Sequence, residues 1–98
     1  MTVTRHINVG DDVAVLTEQL RALRELGQRS EVDDEQIYDL SIRWGTALAG
    51  RLPRLVYYHD RGMLDEDAER RFGAVCHELR TVADLVKRFG LARPELPG

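Results

Sequence analysis

Apolar side chains return every third or fourth position along most of this chain, and that period predicts helices. Val13, Leu16, Leu20 and Leu23 follow at steps of three, four and three, one stripe of an α-helix. Asp11 or Asp12 stands where a carboxylate caps the first free N–H groups of that helix, and Gly27 stands where it stops. In the second segment, Asp33 and Gln36 have capping-box spacing, Val32 is placed to staple onto Ile37, and Ile37, Leu40 and Trp44 point inward. The stretch that follows, WGTALAGRL, is rich in small residues; Gly45, Ala47, Ala49 and Gly50 let a neighbouring helix approach closely. Pro53 then either kinks this helix or ends it near Gly50, with the proline in the first turn of a new one.

The period is most regular near the C-terminus. Ala68, Phe72, Val75, Leu79, Val82, Val86 and Phe89 alternate steps of four and three, a heptad-like seam. Asp60-Arg61-Gly62 reads as a turn, Asp65 caps the last helix, and Glu66, Asp67 and Glu69 suit the positive end of its dipole. Gly90 is the expected stop. One helix over this span is about 25 residues and about 37 Å long, longer than a small bundle needs. The surplus seam, formed by Phe72, Val75, Leu79, Val82, Val86 and Phe89, is therefore the expected homodimer interface. Residues 1–10, with β-prone Thr2, Val3, Thr4, Ile7 and Val9, read as a flexible or strand-like arm without a local partner. Residues 91–98 read as a tail. The expectation is an all-α bundle of three to four helices over residues 11–90, with a long C-terminal amphipathic helix.

Composition narrows the class. With 98 residues, 43% hydrophobic and 32% charged, the chain suits one folded domain and not a disordered segment. The formal net charge of −3 argues against a dedicated nucleic-acid binder, which wants a positive surface. Cys76 is the single cysteine, which precludes an internal disulfide and fits a reducing compartment. The first ten residues lack a signal-peptide core and no run approaches membrane-spanning length, so the expected location is the cytoplasm. Lys87 is the only lysine beside 13 arginines, a bias read as that of a GC-rich, bacterial coding genome. Cys76, His77 and Glu78 are adjacent and point to different sides of a helix, so they cannot share a metal. Neither a metal nor a cofactor is expected.

Candidate chemistry concentrates in RLPRLVYYHDRGML, residues 51–64. If the helix runs through Pro53, then Trp44, Leu48, Leu52, Leu55 and His59 share a stripe, and His59 at its end is expected to be half-buried and bonded to a backbone carbonyl. Arg43, Arg51, Arg54, Tyr58 and Arg61 form a second stripe at helical spacing. Guanidinium groups bind carboxylates and phosphates bidentately and stack on aromatic rings. One reading makes the stripe a docking strip for an acidic protein segment or a phosphate backbone. The other makes it a solvated face paired with acidic neighbours such as Asp39, Glu66 or Glu69.

Two resemblances attach to this segment. LVYYHDRGML resembles the phrase that follows the helix-turn-helix of MerR-type regulators, which implies DNA binding; here DEDAERRF, a helix start, follows instead of a β-wing. Arg54 and His59 are similar in spacing to the R-x4-H pair of the all-helical HEPN-type ribonucleases, which implies action on an RNA phosphodiester. Arg70 or Arg71 with His77 fits a looser version of that spacing, and Arg54 lacks the asparagine that follows it in many members. The function expected from the sequence is non-catalytic: a regulator, adaptor or neutralising partner acting on another protein with an acidic surface. Its interaction residues are Arg43, Trp44, Arg51, Arg54, Tyr57, Tyr58, His59 and Arg61. The alternatives are a HEPN-like ribonuclease using Arg54 and His59, or a DNA-binding regulator.

Overall fold

The computed structural model describes residues 7–97. Among these residues the chain is all helical: α1 is Gly10–Gly27, α2 Asp34–Gly50, α3 Leu52–Asp60, α4 Glu66–Thr81 and α5 Ala83–Arg88. Helix α1 is the central element; it packs on α2 and α4 and also meets α3 and α5. Its stripe of Leu16, Leu20 and Leu23 is buried, each such leucine contributing about 1.5–3 kcal/mol through removal from water. Leu40, Trp44, Leu48, Leu52 and Leu55 close the core from the α2–α3 side. No helix among the described residues is long and apolar enough to cross a membrane.

The capping residues of α2 and α4 behave as their spacing requires. Asp33 accepts from the Gln36 N–H at 2.8 Å, and Asp65 accepts from the Ala68 N–H at 2.8 Å. Helix α1 differs. It starts two residues earlier than a cap at Asp11 would place it, with Val9 at the cap position and no side-chain cap. Asp12 faces inward and is only 1% exposed, because its carboxylate has charged partners in Arg51, which precedes α3, and Arg54 on α3. Val9 is buried and Ile7 packs on the core, so the arm expected over residues 1–10 is part of the fold from Ile7 onward; residues 1–6 lie outside the described residues.

Pro53 ends the second helix and does not merely kink it. Helix α2 stops at Gly50, and α3 begins with Pro53 in its first turn. There the missing proline N–H is one of the donors that lack a helical partner anyway. Gly45 and Gly50 have open space where a side chain would stand, so the small residues of α2 are not used for close helix packing within the chain, apart from buried Ala47.

The single long C-terminal helix is corrected to two segments meeting at Val82. The Thr81 hydroxyl donates to the Glu78 carbonyl at 2.8 Å, a back-bond that competes with the helical ladder and bends helices. Phe72, Val75, Leu79, Val82, Val86 and Phe89 are all buried against the chain's own core. These six residues, expected at a dimer interface, face the chain's own core in the single copy described. Gly90, at φ 64°, then makes a Schellman turn: Leu91 N–H donates to Val86 O at 2.9 Å and Gly90 N–H to Lys87 O at 3.2 Å. Leu91 is thereby buried. The Ala92 carbonyl accepts from the Trp44 indole N–H at 2.7 Å, and the Pro97 carbonyl accepts from Arg80 at 3.1 Å. The C-terminal residues therefore lie on the fold as a strap.

Candidate interaction surface

Helix α3 divides the expected arginine–tyrosine stripe among three neighbourhoods. On the side facing α1, Arg51 donates to Asp12 Oδ1 at 3.2 Å and Arg54 donates to Asp12 Oδ2. Arg54 also lies over the Tyr58 ring, 5.1 Å from its centroid. This clamp ties the first turn of α1 to α3, and one carboxylate offsets one of two guanidinium charges. On the side facing α4, His59 Nδ1 lies 2.7 Å from Glu69 Oε2, and its ring tilts against Phe72 at 4.9 Å. His59 is half-buried as expected, but its partner is a carboxylate and not a backbone carbonyl. Arg43 lies apart on α2, its Nε–H donating to the Asp39 carbonyl at 3.5 Å. Trp44 is 1% exposed and belongs to the core, which removes it from the contact residues.

What remains available is the outer edge of α3. Tyr57 is 49% exposed, with the Arg61 guanidinium over its ring at 3.8 Å. Tyr57 also meets Tyr58 edge-on at 5.5 Å. Gly62, at φ 65°, closes α3 with a Schellman pair, Met63 N–H to Tyr58 O at 2.9 Å and Gly62 N–H to His59 O at 3.0 Å. That left-handed residue fixes where Arg61 leaves the helix.

Tyr57 and Arg61 form the lip of a groove of about 670 Å³ between α2–α3 and the C-terminal strap, with Gly45, Ala49, Pro53 and Val56 on one wall and Arg93 and Leu96 on the other. Comparison with protein-family models, curated proteins and solved structures finds no match. The groove combines an apolar wall, the Arg61–Tyr57 cation–π pair and a second guanidinium, Arg93, with the acidic residues Asp60 and Glu95 also in its lining. Among the described residues neither Arg61 nor Arg93 forms an ion pair, whereas Arg51 and Arg54 do.

A second groove of about 740 Å³ runs between α1 and α4 over Val13, Leu20, Ala74 and Val75. Its rim is internally paired, Arg21 with Glu18 and Glu25, and Arg24 with Glu78. Arg21 holds the Glu18 carboxyl below its ordinary range by hydrogen bonding. Cys76 is buried in the core, and burial pushes its thiol up, partly opposed by Arg80.

The arrangement bears on the two resemblances. Arg54 and His59, five residues apart, diverge by about 140° around a helix and end on different carboxylates, Asp12 of α1 and Glu69 of α4. The YYHDRGML phrase forms the end of α3 and its glycine turn, and α4 follows it. The sequence does not reveal Asp12 as the arginines' partner or the strap, and Glu69, expected beside the arginine stripe, pairs with His59 instead. A first-turn acid such as Asp12 explains itself locally as a cap, and residues 91–98 read as a tail because Pro94, Pro97 and Gly98 leave few apolar residues among them.

Proposed function

We propose that this chain is a small non-catalytic protein that acts by binding another protein, as a regulator, adaptor or neutralising partner in the cytoplasm. The observation that carries this reading is the groove beside α3, apolar along its wall and lipped by exposed Tyr57 under the Arg61 guanidinium. Aromatic and arginine side chains are the usual anchors of protein contacts. The expected occupant is a segment that offers apolar side chains to the wall and a carboxylate to Arg61 or Arg93.

The ribonuclease alternative has less support, because both of its side chains are engaged by carboxylates. The DNA alternative needs free guanidinium groups in a row, and the stripe is split.

The test is affinity capture with the wild-type chain and with Tyr57→Ala and Arg61→Glu, each sample treated with nuclease. The reading expects a protein retained after nuclease treatment and lost with both variants. Capture that vanishes with nuclease, or RNA cleavage that Arg54→Ala abolishes, would replace it with a nucleic-acid reading.

A further inference from the structure

The C-terminal strap lies along a trough whose two sides come from different parts of the chain. On one side are Leu48 of α2 and Leu52 and Val56 of α3; on the other are Leu79 and Arg80 of α4 and Val86 of α5. Arg93, Pro94 and Leu96 line a cavity on each flank, of about 670 Å³ and about 380 Å³, so the trough is wider than the strap within it. The sequence of the strap explains its extended course. Pro94 and Pro97 fix their own φ near about −65°, and the residues before them, Arg93 and Leu96, are kept out of the helical region. Prolines three apart share one face of a polyproline II segment, which has no internal hydrogen bonds and leaves its carbonyls for outside donors. The trough supplies two such donors, the Trp44 indole to Ala92 O at 2.7 Å and the Arg80 guanidinium to Pro97 O at 3.1 Å. Both bonds address main chain, which any extended segment offers. The hold is slender: Ala92, Arg93 and Glu95 are exposed, Pro94, Leu96 and Pro97 half-buried, and the entropy of ordering them opposes these contacts.

We infer that this trough is a recognition site for an extended, proline-containing segment of another protein, and that residues 92–97 are its built-in competitor. This rests on the reading of the α3 edge as a protein-binding surface and names the chemistry of the partner. The strap displays what the trough accepts: Pro94, Leu96 and Pro97 along the apolar wall, with two carbonyls on fixed donors. Grooves with an aromatic lining take proline-rich segments in this way, because the segment is already extended before it binds. When the strap lifts, Arg93 and Glu95 leave with it. Asp60 and Arg61 remain at the α3 end and offset one another, so apolar contact and main-chain bonds carry the recognition. An occupant on a short tether acts at an effective concentration of about 1 mM. A trough that the strap keeps mostly closed therefore binds the same segment, supplied free, below about 1 mM once the strap is loosened.

The experiment titrates the full chain with a synthetic peptide of residues 92–98, ARPELPG, and follows the fluorescence of Trp44, the only tryptophan. Leu96→Asp loosens the strap and leaves the trough as it is. Leu96 lies beyond the last helix, so the helical circular dichroism should match wild type. Pro94→Gly/Pro97→Gly, which loosens the strap through backbone freedom, is the second opened chain. Both should bind the peptide about 10-fold or more tightly than wild type, in which the open form is the minor one. Replacing both peptide prolines with alanine should weaken binding about 10-fold, and Arg80→Ala in the opened chain should do so by a similar factor. Failure of both opened chains to bind at about 1 mM peptide overturns the inference. So does equal affinity in wild-type and opened chains, or indifference to the prolines. If the peptide fails to bind while Tyr57→Ala and Arg61→Glu abolish protein capture, the α3 edge stands and the trough falls. If the peptide binds as expected while those two variants leave capture unchanged, the trough stands and only the reading of the α3 edge fails.

Discussion

Replacing Asp12 with asparagine isolates the contact that joins the start of α1 to α3. The side chain keeps its volume and one oxygen, but loses the charge that both Arg51 and Arg54 address. A hydrogen bond to a charged group contributes about 1.5–3 kcal/mol. The two arginine side chains are 43% and 41% exposed, so water takes over their charge when the carboxylate is gone. The full penalty of a stranded buried ion therefore does not apply, and the cost falls near the lower end, about 2 kcal/mol. For a chain of this size that is about 8–16 °C in melting temperature. Thermal unfolding followed by circular dichroism measures it, with urea unfolding as a check on the slope. Arg54→Ala alone should cost less, because Arg51 still holds the carboxylate. The double variant Asp12→Asn/Arg54→Ala should be less destabilised than the sum of the two. A shift below about 2 °C for Asp12→Asn, under the usual effect of a lost buried charge contact, would refute the view that this clamp fastens α3.

Three further outcomes follow from the geometry. Trp44→Phe removes the indole donor to Ala92 and leaves a cavity at a buried core position, which together should cost about 2–3 kcal/mol, with hydrogen exchange rising first at Leu91 to Leu96; equal exchange in both proteins would show that the strap is held elsewhere. Gly90→Ala forces a side chain into the left-handed region and should cost about 1–2 kcal/mol in urea unfolding, whereas an unchanged midpoint would rule out the Schellman turn. Cys76 should alkylate far more slowly in the folded chain than in urea, because burial disfavours its thiolate. Its raised pKa also means that the stability tied to the neutral thiol is present below the ordinary thiol value and lost as pH climbs from there through the raised value of the folded state. Rapid labelling of the folded protein at neutral pH would contradict its place in the core.

The period of three and four determined by itself that the chain is helical, where most helices lie and which residues form the core. Those are local properties: a stripe on one helix must be buried somewhere, whatever covers it, and an aspartate three residues before a free N–H caps it wherever the helix packs. Pro53 was legible as an interruption for the same reason. What covers each stripe is not local. The seam from Phe72 to Phe89 could have been shared between two copies or kept within one. The break at Val82 and the packing of α4 and α5 on α1 bury it against the chain's own core. The arginines of residues 43 to 61 share a stripe only on an unbroken helix; once the chain stops at Gly50 and restarts, Arg51 and Arg54 turn to Asp12 and Arg61 turns to Tyr57. A carboxylate some 40 residues away in sequence leaves no periodic trace, and only the packing of α1 on α3 brings it there.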